Sequence, residues 1–85
     1  MKEFSYTVTD PAGLHARPAG LLAKKAQPYK SAITLHKGEK VGVAKSLLSI
    51  MGLAVKNGEV ITVKADGEDE DVAIAELEVF FKETI

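Results

Sequence analysis

SAITLHKGEKVGVAKSLLSIMGL, residues 31–53, changes its hydrophobic period along its length, and those changes decide the fold. In SAITLH (31–36) Ile33 and Leu35 alternate with polar neighbours, as the inward residues of a half-buried strand do. HKGEK reads as a glycine-containing turn, and the chain returns in a short strand around Lys40–Val43. KSLLSIMGL (45–53) then reads as a short apolar helix, with Ser46 in position to cap its first turn. Upstream, EFSYTVT (3–9) alternates Phe4, Tyr6 and Val8 against Ser5, Thr7 and Thr9, the pattern of another strand. DPAG is turn chemistry, and from Pro18 onward Ala19, Leu22, Ala23 and Ala26 recur at helical spacing until Pro28 closes the segment. Downstream, Asn57-Gly58 turns the chain into a strand over 59–65. Acids in DGEDED precede a last helix with a stripe of Ala73, Ile74, Leu77, Phe80 and Phe81. The order is βαββαβα. It predicts an α+β fold, an open-faced two-layer sandwich with a four-stranded, mostly antiparallel sheet and three helices on one face.

The composition fits one domain spanning residues 1–85: 46% of the residues are hydrophobic, and neither a linker nor a repeat interrupts the chain. No apolar run is long enough for a bilayer, and no secretory signal is legible at the N-terminus, so a cytoplasmic protein without membrane contact is expected. The absence of cysteine excludes disulfides and thiolate metal sites. Net charge is −1, yet residues 1–45 hold eight Lys or Arg against three Asp or Glu, a balance of +5. Residues 46–85 hold three against nine, a balance of −6. An anionic group or acidic partner therefore suits the first half better than the second.

That basic half contains GLHARP (13–18). The first N–H groups of a helix have no internal partners and its dipole is positive there, so a helix mouth attracts phosphate. Pro18 belongs in a first turn, Gly13 frees the backbone leading in, and Arg17 offers a planar fork for phosphate oxygens. Positive surroundings also favour a neutral imidazole, whose ring nitrogen is then a free nucleophile. The residues thus suit covalent phosphorylation of His15, with Arg17 and the helix mouth steadying the charge. Simple anion binding, or a merely polar histidine at a helix start, stays open on these residues alone. His36 has no companion ligands for a metal, no nucleotide-binding or hydrolase motif is present, and DGEDED lacks the periodicity of a calcium loop. Neither metal nor cofactor is expected.

Leu47, Leu48, Ile50, Met51 and Leu53 crowd into so short a helix that one sheet face is hard pressed to cover them all. Ile50 and Leu53 suit the core, leaving Leu47, Leu48 and Met51 either packed or as an outward patch for partners. Ser46 stands beside them. A phosphate there would be tolerated by the helix dipole yet would obstruct an acidic partner.

GLHARPAG and AKSLLSIMGLAVKNGEVITVKADGEDED together resemble the HPr family of the bacterial phosphoenolpyruvate-dependent sugar phosphotransferase system, over essentially the whole chain. The resemblance implies a covalent phosphocarrier, not a turnover enzyme. His15 would take a phosphoryl group on Nδ1 from phosphorylated enzyme I and pass it to IIA components of sugar transporters. Arg17 would assist the transfer, and Pro18 would set the helix start. Ser46 would be the serine modified by HPr kinase/phosphorylase, its product serving a transcriptional corepressor partner. The family's docking surface combines the first turns of the first and second helices, and maps onto Arg17, Gly20, Leu21, Lys24, Leu47, Leu48 and Met51. A monomer is implied, for which transient partners and a small apolar patch are appropriate.

Three departures stand out. Ala12 replaces a small polar residue that orders the active-site loop in many members, so that contact is lost or comes from backbone. Ala54 replaces a glycine, which means strain if the backbone keeps φ > 0 and a locally adjusted turn if it does not. Ser49 falls at a variable position. Two rival readings remain: a carrier in a regulatory, nitrogen-type branch, and a non-catalytic anion- or RNA-binding module. The second lacks an aromatic stacking platform, with aromatics at 6% and Phe4 and Tyr6 reading as inward, so no nucleic-acid partner is expected.

Overall fold

The computed structural model describes residues 1–85 and runs β1 (Lys2–Thr7), α1 (Ala16–Ala26), β2 (Ala32–Lys37), β3 (Lys40–Val43), α2 (Leu47–Gly52), β4 (Val60–Asp66) and α3 (Glu70–Thr84). The strands form one sheet in the order β1-β4-β2-β3, and every neighbouring pair is antiparallel. The hairpin pairs Leu35 with Gly42 and Lys37 with Lys40. In the centre Leu35 faces Val63, and at one edge Phe4 also faces Val63.

Because side chains alternate along a strand, this register sends Phe4, Tyr6, Ile33, Leu35, Ile61, Val63 and Ala65 to the face that the helices cover. There they meet Leu22 and Ala26 of α1, Ile50 of α2, and Ala73, Leu77 and Phe81 of α3 in a single cluster. Phe81 takes the edges of Phe4 and Tyr6, with ring centroids 5.4 and 5.6 Å away. Such edge-to-face pairs add about 0.5–1.5 kcal/mol beyond area burial. The expected stripe of α3 is present, with Ile74 and Phe80 half-buried at its margins. The opposite sheet face is open: Val41, Val43 and Val60 are exposed on it, and Ser5 and Thr62 are hydrogen-bonded across strands at 3.0 Å. His36 lies on that face, where its Nε2 meets the Thr34 hydroxyl at 2.8 Å.

The DGEDED acids do more than solvate a helix start. Asp69, the N-cap residue of α3, turns its carboxylate to the start of β2, accepting from the Ser31 hydroxyl, from Ser31 N–H at 2.9 Å and from Lys30 N–H at 2.8 Å. These bonds, that of the Ser31 hydroxyl foremost, hold the Asp69 carboxyl below its ordinary range. Behind it Tyr29 donates its hydroxyl to Glu76, and burial with that bond pushes the phenol up to about 12.

Alpha helices α1 and α2 pack side by side in opposite directions. The Gln27 side chain after α1 donates to the Lys45 carbonyl at 2.7 Å, and Lys45 Nζ donates to the Tyr29 carbonyl at 2.5 Å, so the start of α2 adjoins the end of α1. At the other end Leu14 N–H donates to the Val55 carbonyl at 3.0 Å. The two first turns therefore lie toward opposite ends of α1 and not next to one another.

Candidate functional site

The segment Thr9–Leu14 is fastened from three sides before His15 is reached. Asp10 N–H donates to the Ile85 main-chain oxygen at 3.2 Å, and the Asn57 side-chain amide donates to the Thr9 carbonyl at 3.1 Å. Gly13 N–H closes the turn onto the Asp10 carbonyl at 2.8 Å. Gly13 has φ +71°, and a β-carbon there would lie 2.4 Å from the Val55 oxygen. Glycine is thus required twice over, by conformation and by space. Leu14 is buried in the core, and the next residue emerges.

His15 is the N-cap residue of α1, with extended backbone (φ −83°, ψ −175°) and no capping bond from its side chain. Its carbonyl accepts Ala19 N–H at 3.0 Å, while the N–H groups of Ala16 and Arg17 meet no acceptor and Pro18 has none to offer. The mouth of α1 therefore presents two free N–H groups beside an imidazole that is 42% exposed. Arg17 is exposed and forms no ion pair. Pro18 is buried beneath the first turn. A shallow pocket of about 350 Å³ opens here, lined by Asp10, His15, Arg17, Pro18, Leu21, Glu83 and Thr84. Free N–H groups and a helix dipole beside an imidazole, with a guanidinium in the same pocket, can bind and steady a tetrahedral dianion.

The sequence motif omits four residues of this pocket, Asp10, Leu21, Glu83 and Thr84. Asp10 sends Oδ1 to the Ala12 N–H at 2.9 Å and sets Oδ2 3.6 Å from His15 Nε2. The loop is thus ordered through the backbone of Ala12, as that residue's lack of a polar side chain requires. The surroundings of His15 are accordingly not purely positive. An Asp opening a Pro-containing turn, two residues before a free amide, is the signal that marks such a contact in sequence. Glu83 was out of reach of local reading, because only tertiary packing brings the end of α3 to the mouth of α1.

At the other end of the helix pair, Ser46 caps α2: its hydroxyl accepts Ser49 N–H at 3.2 Å, and its carbonyl accepts Ile50 N–H at 3.0 Å. Ser49, which the pattern marked only as variable, accepts Val43 N–H at 2.8 Å and so ties edge strand β3 to α2. Ile50 and Leu53 are buried, whereas Leu48 is 84% exposed and Leu47 and Met51 are exposed beside it. On α1, Leu21 and Lys24 are exposed as well, and Gly20 is half-exposed with open space where a β-carbon would stand. Ala54, after α2, keeps φ +51°. The backbone retains the glycine-like conformation and alanine bears the strain.

No group of three or more metal-ligating side chains occurs, and no helix is long and apolar enough to cross a membrane. The family described as "PTS HPr component phosphorylation site" matches residues 2–83. The chain is 50% identical to the phosphocarrier protein HPr of Mycoplasma capricolum over 74 residues, covering 87% of this chain and 83% of that one. It is 47% identical to the HPr of Lysinibacillus sphaericus, covering 98% and 94%. Among solved structures, a histidine-containing phosphocarrier protein of Mycoplasma superposes with a TM-score of 0.95 at 44% identity, covering 98% of this chain and 94% of that one.

Proposed function

Because the chain belongs to the HPr family of phosphotransferase-system phosphocarriers, we propose that His15 accepts a phosphoryl group from phosphorylated enzyme I and delivers it to IIA components of sugar transporters. The observation that carries this reading is the uncapped mouth of α1. An exposed imidazole stands beside two N–H groups without acceptors, and Arg17 is unpaired. In this reading the Nδ1 lone pair attacks phosphorus in line, and the group's oxygens settle against the Ala16 and Arg17 N–H groups and the Arg17 guanidinium. The whole chain, residues 1–85, acts as one domain. It is a covalent intermediate between enzymes, cytoplasmic, monomeric, and without turnover of its own.

Partners dock on Gly20, Leu21, Lys24, Leu47, Leu48 and Met51, an apolar strip with a basic margin suited to quick, transient binding. Ser46 is the regulatory site. Its phosphate would lie at the positive end of α2, where the fold tolerates it, and beside Leu47 and Leu48, where it repels an acidic partner. A host kinase for Ser46 and a corepressor that reads the product belong to the same proposal. Ser46 starts α2 beside the end of α1, and His15 starts α1 at its other end, which supports a switch that acts on docking and not on the imidazole.

The test follows phosphoryl flow. With labelled phosphoenolpyruvate and enzyme I, label should enter this protein and leave it when a IIA component is added. Entry without exit to any sugar-specific IIA would redirect the reading to a regulatory branch. No entry from the host's own enzyme I would end the carrier proposal.

A further inference from the structure

The group best placed to act on His15 lies outside GLHARP. Asp10 is held on a constrained backbone: its N–H donates to the Ile85 main-chain oxygen, and its carbonyl accepts the Gly13 N–H and, at 3.3 Å, the Asn57 side-chain amide. Its Oδ1 is engaged by the Ala12 N–H at 2.9 Å, which fixes the plane of the carboxylate and leaves Oδ2 3.6 Å from His15 Nε2. That separation is too long for a hydrogen bond, yet close enough for direct electrostatic attraction. No other ion pair reaches His15.

Resting on the carrier reading, we infer that Asp10 is a positioning residue that holds neutral His15 in the tautomer with its proton on Nε2. A neutral imidazole carries one N–H and one lone pair, and a carboxylate favours the proton on the nearer nitrogen. The lone pair then resides on Nδ1, the nitrogen that must be free. The logic is that of hydrolytic triads, in which a carboxylate fixes the tautomer of the working histidine.

Both directions of transfer draw on the same contact. During uptake the Nδ1 lone pair forms the N–P bond, while the bond from phosphorus to the donor's phosphorylated side chain breaks and its electron pair leaves with the donor. The Nε2 proton stays, so the ring becomes cationic facing Asp10. During delivery a nucleophilic side chain of the acceptor attacks phosphorus, the N–P bond breaks, and its pair returns to Nδ1. Asp10 steadies the ring charge in each direction without touching phosphorus.

The test uses nitrogen-15 histidine spectra at about pH 9, above the range in which histidines ordinarily titrate. Asp10→Asn keeps an oxygen for the Ala12 N–H and removes only the charge. The ratio of Nε2–H to Nδ1–H tautomer should fall about fivefold in this variant, taking as the scale the displacement of one proton's charge toward or away from a nearby carboxylate in water. Phosphoryl uptake should slow by a similar factor. Glu83→Gln removes another acid from the same pocket and should leave the tautomer ratio unchanged, and Asp10→Glu should restore part of it. An unchanged ratio in Asp10→Asn, or an equal fall in Glu83→Gln, would overturn the assignment. Wild-type protein that shows the Nε2–H tautomer but accepts no phosphoryl group would sink the carrier reading alone.

Discussion

The mouths of α1 and α2 start from similar backbones and end in opposite states. Both N-cap residues are extended, His15 at φ −83° and Ser46 at φ −113°. The Ser46 hydroxyl turns back onto its own helix, whereas the His15 ring turns away from its helix and leaves two N–H groups empty. The mouth of α3 shows a third outcome, because the Asp69 carboxylate leaves its helix to clamp β2. A helix start can thus stabilise itself, stabilise a neighbour, or leave its first N–H groups without an acceptor from the chain. An uncapped start costs local stability, which fastening the loop through Gly13, Leu14, Asp10 and Asn57 offsets.

The sharpest way to break this contrast is to remove each cap and read chemistry and stability separately. His15→Ala should abolish phosphoryl uptake with the melting temperature nearly unchanged, since the ring makes no capping bond. Arg17→Ala should slow transfer by about a hundredfold, the cost of losing one preorganised donor to a developing charge. Ser46→Ala should do the reverse, lowering stability by about 1 kcal/mol in denaturant titrations while uptake at His15 continues at its normal rate. An Ala variant of Ser46 that lost uptake would refute the separation of the two mouths.

Two smaller effects sharpen the picture of what holds the mouths in place. Ala54→Gly should raise stability by about 1 kcal/mol, because alanine at φ +51° is strained by more than glycine's extra chain entropy costs. A loss would mean that the α2–β4 turn tolerates alanine freely. Asp69→Asn should show a pH-dependent penalty. The Asp69 carboxyl is held low in the folded protein, so its contribution is present above the ordinary carboxylate range and is lost as pH falls through the depressed folded value. The melting curves of variant and wild type should therefore separate near neutrality and converge in acid.

Much of this architecture was legible in the chain. Period-two alternation located three strands and a glycine turn the fourth, and Pro18 and Ser46 marked helix starts because first-turn chemistry is local. The crowding of apolar residues in α2 raised an outward set of Leu47, Leu48 and Met51 but did not decide it against a packed helix; the structure leaves all three exposed. The antiparallel lie of α1 and α2 was not readable, since it is settled by Gln27, Lys45 and Tyr29 meeting across the fold. Asp10 looked like ordinary turn chemistry because its second contact, to His15, depends on where Ile85 and Asn57 hold the loop. The contacts of Ser49 and Asp69 were unreadable for the same reason. Their partners, Val43 and Ser31, lie on other elements.

The most direct measurement is a phosphorus–nitrogen coupling experiment on the charged protein, labelled with nitrogen-15 at histidine and at the backbone. The account expects a single phosphoryl group coupled to Nδ1 of His15, with the Ala16 and Arg17 amide signals displaced and those of Leu47 and Leu48 unmoved. A phosphoryl group on Nε2, on His36 or on Ser46 under enzyme I, or amides at the mouth of α1 that do not respond, would contradict it.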